Sequence, residues 1–412
     1  MTNPVKSRIH RRLLPLYIAA FLQGFVLWYA IEKLFMTTIG FNNATIAVMV
    51  VTYLSVMLIF EIPSGILADR WSRKGVLMLS GLALAVSSLI AGFSMNVVQY
   101  LLSALFFGIF YAFYSGTYDS IVYDTLIEEK GNCDDYEVYY GRVRLLDGLA
   151  LVISSISGGL IGQIIGLRQP YLLTVPIALL SIIVLFFFRE PKLHLTHEYV
   201  SVRTQVKSTF AAITKKGIIV YLLLSIIIAG LIGEIGFEFD QLWLIALAAP
   251  VVMYGPINAL LLSSVIVGSG IARYFSKHIR WVVTLAVMLL IGAGLALALV
   301  RNIYIVAISE FIIEVIVIAY GIVFNKQLHD RLTSNIRAGA VSSVSSMTTI
   351  LFIPIALLFG AISQQAGIFS AAWILFGLIV MVSILILKTS NGIKAITLNS
   401  ADVIDQTTSG VR

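Results

Sequence analysis

Long apolar runs set the first constraint on this chain. Twelve of them follow one another: Leu13–Ile39, Ala44–Ser64, Gly75–Met95, Val98–Ile127, Val143–Gly166, Tyr171–Phe188, Gly217–Ala246, Val251–Phe275, Val282–Val300, Ile303–Phe324, Ala338–Ser363 and Ile368–Leu387. A helix needs about 20 apolar residues to cross the hydrocarbon core of a bilayer. Open sheet is excluded because its unpaired backbone groups would face hydrocarbon. A barrel would show alternating segments of about 10 residues. The expected fold class is therefore an all-α membrane protein with twelve transmembrane helices. Composition agrees, with 59% hydrophobic and 12% charged residues, against about 25% charged in an ordinary soluble domain.

The basic residues orient the runs. Lys6, Arg8, Arg11 and Arg12 precede the first run, and Arg70, Arg73, Lys74, Lys130, Arg142, Arg144, Arg273, Lys277, Arg280, Lys326, Arg331 and Arg337 fall in alternate connections. The opposite connections hold only Arg168 and Arg301. Lys and Arg mark the cytoplasmic side, so both termini are expected in the cytoplasm and the protein in the cytoplasmic (inner or plasma) membrane. The net charge of +7 is explained by this topology, and no nucleic-acid partner is expected. With one cysteine, Cys133, no internal disulfide forms. The five histidines all lie outside the apolar runs, which leaves proton chemistry to carboxylates.

The chain also repeats. Gly24 and Glu32 in the first run recur as Gly230 and Glu238 in the seventh, 206 residues later, and Gly65-Ile66 recurs as Gly270-Ile271 at an offset of 205. The polar stretch 189–216 separates the two sets. The expected organisation is one bundle over 1–188, a cytoplasmic linker over 189–216, a second bundle over 217–390 and a cytoplasmic tail over 391–412. Paired halves with a site between them near mid-membrane are how many secondary transporters are built.

Carboxylates inside the runs mark the chemistry. Glu32, Asp119, Asp124, Asp147, Glu234, Glu238, Asp240, Glu310 and Glu314 all lie in apolar surroundings. Each costs about 2.5–3.5 kcal/mol at a helix centre, and all nine on the order of 20–30 kcal/mol if uncompensated. For any single acid, a structural ion pair or an interfacial position is the alternative. For the set, a polar translocation path is favoured, with Glu32, Asp119, Glu234, Glu238, Glu310 and Glu314 as the expected substrate and proton residues. Glu234 and Glu238, and likewise Glu310 and Glu314, are spaced to share a helix face. Glu32 and Lys33 point about 100° apart on a helix and need not pair. Asp119 is expected above Ser115 and Tyr111 on one face, with Tyr118 beside it. Aromatic faces near carboxylates suit an amphipathic or cationic organic ligand, while ordinary helix packing is the plainer explanation of the same rings.

The loop Gly65-Ile66-Leu67-Ala68-Asp69-Arg70-Trp71-Ser72-Arg73-Lys74-Gly75 is the most specific motif. Gly65 is expected to turn the chain at the membrane face. The loop resembles the signature between helices two and three of the major facilitator superfamily, with Ser72 in place of that signature's second glycine. The whole chain is similar to that family's drug/proton antiporters in its helix number, linker and paired halves. The resemblance implies two pseudo-symmetric six-helix bundles that rock to give alternating access. It further implies a cytoplasmic gate of Gly65, Asp69, Arg70, Arg73, Asp124 and Arg337. On helix five the antiporter pattern is reduced to Ser154-Ser155-Ile156-Ser157-Gly158-Gly159, without its proline.

Phosphate loops, zinc-protease motifs and nucleophile elbows are absent from the sequence. The expectation is a monomeric transporter, not an enzyme, without cofactor or metal. It would exchange a small amphipathic organic substrate for protons, most simply outward. Import, uniport, or a non-transporting sensor or scaffold on the same fold are the alternatives.

Overall fold

The computed structural model describes residues 4–191, 224, 226–276, 280–330 and 334–408. Side chains are described for these except 4–5, 228–229, 276, 280, 328–330, 334–344 and 389–408. Most of the 189–216 linker, the start of the seventh run and the side chain of Arg337 therefore lie outside the described residues.

Among the described residues the chain is all helical. Its elements are α1 (Pro4–Gly24), a 3-10 turn (Tyr29–Ile31), α2 (Glu32–Thr38), α3 (Asn43–Arg70), α4 (Arg73–Phe93), α5 (Val97–Tyr114), α6 (Thr117–Lys130), α7 (Tyr136–Ile164) and α8 (Gln169–Phe186). Then come a π-helical segment (Ile226–Ile232), α9 (Gly233–Ala246), α10 (Val251–Ser276), α11 (Arg280–Leu299), α12 (Ile303–Asp330), α13 (Ser334–Ala366) and α14 (Ile368–Thr408). Eleven spans long and apolar enough to cross a membrane lie among the described residues. The seventh run is represented by its described part, the π segment and α9.

Local chemistry sets the helix starts. Asn42 accepts from Thr45 N with its side chain and donates its own backbone N–H to Thr45 Oγ1, a capping box at α3. Ser72 accepts from Gly75 N at 2.8 Å, and Asn96 accepts from Gln99 N at 3.0 Å. Each satisfies one of the donors that a helix leaves free in its first turn.

Three expectations need correction. Gly65 makes no turn; α3 runs through it to Arg70. A glycine inside a continuous helix costs about 0.5–1 kcal/mol but does not stop it, and the stop comes at Trp71 and the Ser72 cap. The fourth run is two helices, because Gly116 adopts φ 72°, a left-handed conformation. Asp119, Ser115 and Tyr111 consequently share no continuous face. The first run is also broken, between Gly24 and Tyr29.

The chain divides into two compact units. Unit 1 is Met1–Val200 with Gln241–Ser263 and Ile353–Gln365, and unit 2 is Ser201–Asp240 with Ser264–Phe352 and Ala366–Arg412. In unit 1, α4 packs on α5 and α8, α3 on α5, and α1 on α7 and α8. Ile9, Leu13 and Leu16 of α1, Ile121 and Val122 of α6, Val143 of α7 and Leu185 of α8 meet in one buried cluster. In unit 2, α11 packs on α12 and α14, and the π segment also touches both α12 and α14.

Candidate functional site

The break in the first span is a built feature. Non-helical backbone survives at membrane depth only where protein satisfies its polar groups. Leu27 N donates to Thr174 Oγ1 at 3.2 Å. Gln241 serves two freed groups, donating to Tyr29 O at 2.9 Å and accepting from Lys33 N at 3.0 Å. Trp28 is fixed by its indole N–H on Ser88 Oγ, 3.0 Å, and by stacking on Tyr171 at 5.1 Å. Gly158 of α7 leaves room for the Leu27 carbonyl, which a Cβ there would overlap.

The break delivers Glu32 and Lys33, 6% and 3% exposed, into the packed interior of unit 1. There they pair, Lys33 Nζ to Glu32 Oε2 at 2.5 Å. Their expected divergence of about 100° does not separate them, because α2 starts at Glu32, where the Lys33 stem can fold back. Tyr100 donates its hydroxyl to Glu32 Oε1 at 3.2 Å and contacts the Tyr171 hydroxyl at 2.9 Å. Glu32 is thus neutralised and hydrogen-bonded by its own half.

The remaining expected path residues of unit 1 occupy separate networks. Tyr118 donates to Gln23 Oε1 at 3.0 Å, while Gln23 Nε2 donates to Leu77 O at 3.0 Å and Ser181 Oγ at 3.3 Å. Asp119 is exposed and receives the Tyr136 hydroxyl at 2.5 Å. Tyr111 packs edge-on to Phe107 at 4.9 Å. Asp147 accepts from Tyr114 at 2.7 Å and lies beside Gly24, where a Cβ would sit 2.5 Å from its Oδ1.

Unit 2 gathers acids. Glu234 and Glu238 of α9 interact electrostatically, Glu310 of α12 with Asp240 and Glu314, and Glu314 with Glu234 and Asp240. Glu238, Asp240 and Glu310 are 4%, 3% and 4% exposed. Both carboxylate oxygens of Glu310 and Oε1 of Glu314 are buried without a hydrogen-bond partner among the described residues. Gly236 makes space for this group, since a Cβ there would collide with Glu314 Oε1. Among the described residues no cluster of His, Cys, Asp and Glu has the arrangement to hold a metal ion.

The loop between α3 and α4 brings three of the expected gate residues into contact. Arg73 bridges Asp124 and Asp69, the latter at 3.2 Å, and also donates to Ser120 O at 3.2 Å. Arg70 is exposed and Gly65 meets nothing within 4 Å of a built Cβ. Sequence reasoning left Glu190 in the linker. It instead receives Ser72 Oγ at 2.6 Å, Arg73 N at 2.6 Å and Lys74 N at 3.2 Å, so it caps α4. Lys74 Nζ donates in turn to Phe186 O and Phe188 O, each at 3.0 Å. Arg12 joins Glu128 at 3.1 Å and Glu129 at 2.5 Å. The serine on the helix-start side of a basic loop was the one sequence signal that an acid would be drawn there.

Within unit 1 the residues 241–263 and 353–365 lie against the first half. Ser155 Oγ donates to Asn258 Oδ1 at 2.8 Å, and Asn43 Nδ2 donates to Ser363 Oγ at 2.8 Å. At Gly159 a Cβ would meet Gly255 N at 2.8 Å, so the two helix backbones touch there.

Known proteins bear on this arrangement. No curated protein matches the chain. The solved nucleoside transporter NupG superposes with a TM-score of 0.74 at 16% identity, covering 91% of this chain and 98% of that one. A bacterial homologue of the human lysosomal transporter Spinster, inward-facing and unoccupied, gives 0.74 at 13% identity, covering 95% and 98%. The D-xylose–proton symporter gives 0.68 at 13% identity, covering 91% and 97%. At these identities the likeness is one of fold. The profile described as Major Facilitator Superfamily matches residues 13–329. The protein is a multi-pass membrane transporter, not an enzyme, and belongs to the Major Facilitator Superfamily.

Proposed function

We propose that this transporter is proton-coupled and exports a small amphipathic organic compound, with the α9–α12 acids as the place where proton and substrate alternate. The observation that carries this is Glu310, whose two carboxylate oxygens are buried and unpartnered among the described residues. A buried ionised carboxylate without a partner is strongly disfavoured, so it holds a proton or faces a cationic guest. Asp240 and Glu314 lie within electrostatic reach of Glu310, and Glu234 within reach of Glu314, which adds to the same demand. A cationic or amphipathic guest that enters would displace the proton, which couples the two.

The proposed cycle has 1–188 and 217–390 rocking about the linker, in a monomer whose termini are cytoplasmic. The contacts Gly159–Gly255, Ser155–Asn258 and Asn43–Ser363 lie on the side poor in Lys and Arg, and would form the outer seal. Asp69, Arg73 and Asp124, with Arg337, would form the inner one.

The test is a pH jump on proteoliposomes holding full-length protein and a panel of fluorescent amphipathic amines. Wild-type flux should follow the proton gradient, and Glu310→Gln should lose that dependence. Flux that ignores the gradient in the wild type would leave a uniporter. The fold shared with a D-xylose–proton symporter keeps proton-driven import as the rival direction. Accumulation inside right-side-out vesicles with an inward proton gradient would decide for it.

A further inference from the structure

Unit 2 carries a second concavity, unlike the acid cluster. A groove of about 470 Å³ lies among α10, α11 and α12, walled by Tyr274, Trp281, Leu285, Leu289, Phe311 and Val315 among others, all with apolar faces. Trp281 is 68% and Leu285 44% exposed, so the groove opens to the protein surface. Its size falls in the range of ligand pockets, but such pockets normally hold a few placed polar groups that orient the guest. This one has none in its body. A cavity so lined does not retain water, and left empty it forfeits packing contacts all along its wall. The fitting occupant is a hydrocarbon chain.

One end of the groove is marked by charge. Arg273 lies over the Tyr274 ring at 4.8 Å and donates to its hydroxyl at 2.9 Å, which holds a guanidinium beside the groove wall. The connection from α10 to α11 is also one of those on the Lys/Arg-rich side of the chain. Basic sites between transmembrane helices on the cytoplasmic side bind anionic lipid head groups. We infer that the α10–α11–α12 groove binds one acyl chain of an anionic phospholipid from the surrounding bilayer, with its head group at Arg273. The same α12 that presents Phe311 and Val315 to the groove carries Glu310 and Glu314 on its other side. A bound lipid therefore braces the helix that holds the acid cluster.

Trp281 supplies the readout. Full-length protein is placed in phosphatidylcholine nanodiscs containing a small fraction of phosphatidylglycerol or phosphatidylcholine with brominated acyl chains. The Trp281 signal is the difference between wild type and Trp281→Phe. Brominated phosphatidylglycerol should reach half-maximal quenching at a several-fold lower fraction than brominated phosphatidylcholine. Arg273→Gln should remove that preference while quenching by phosphatidylcholine persists. Ala286→Phe, or Ala286→Leu if the larger residue prevents folding, fills the groove and should abolish the preference as well. Equal quenching by the two lipids in the wild type overturns the inference. So does a preference that survives the filled groove.

Discussion

The two halves handle the same liability in opposite ways. Glu32 and Glu238 stand at matching places in the repeat, yet their surroundings differ. The first half breaks its leading helix, places Lys33 beside Glu32 and adds the Tyr100 hydroxyl. The second half keeps α9 continuous after a π segment and sets it against α12 with further acids. Burying two opposite charges together is close to neutral when they are well hydrogen-bonded, whereas removing one partner is expensive. The first half therefore resembles a finished structural pair. The second holds Glu310 with both carboxylate oxygens unpartnered among the described residues. The two halves differ in both backbone and charge compensation, and our proposal places the chemistry on that difference.

The comparison can be broken most severely at the first half's joint. Gly158→Val would drive a side chain into the Leu27 carbonyl. The protein should fail to accumulate in a folded form, read by size-exclusion profile after mild detergent extraction. Next, Lys33→Met would leave the buried Glu32 without its cation. A loss of about 3–5 kcal/mol is expected for breaking one side of a buried pair. Adding Glu32→Gln should recover much of it, and denaturation midpoints of the single and double variants check this. A double variant no better than the single would show that Lys33 matters by packing alone.

Smaller effects sharpen the contrast from the other side. Glu310→Gln should leave stability unchanged or raised, because it removes an unpartnered buried acid, while proton-dependent flux falls about tenfold or more. An order of magnitude corresponds to about 1.4 kcal/mol. A stability loss instead would mean that Glu310 is a structural partner. At the loop before α4, Ser72→Ala removes the side-chain cap on Gly75 N and leaves the Glu190 contacts to Arg73 N and Lys74 N, and should cost about 1 kcal/mol. A thermal scan at matched detergent reads it.

Hydropathy was enough to write down the spanning helices, since bilayer length and unsatisfied backbone leave few choices. The Asp69–Arg73–Asp124 contact was legible through the resemblance of one loop. Much of the site was not. The breaks at 25–28 and Ser115–Gly116 sit inside unbroken apolar runs, where nothing in the residue pattern distinguishes a bend from a helix. Gln241 acts by reaching backbone groups more than 200 residues away. Gly158 acts by what it lacks. Such roles depend on which backbones approach one another, and no local period records that. Gly65 shows the converse error, a glycine whose position implied a turn that the helix ignores.

The reciprocal ties between α4 and α8 have a mechanical consequence. Glu190 grips the positive end of α4, and Lys74 grips the last carbonyls around α8, so each helix terminus is held by a charge borne on the other's segment. Two such ties should make the pair behave as a single lever, fastened before residue 192. A cut in the polypeptide beyond that point would separate the halves in sequence yet leave this lever whole.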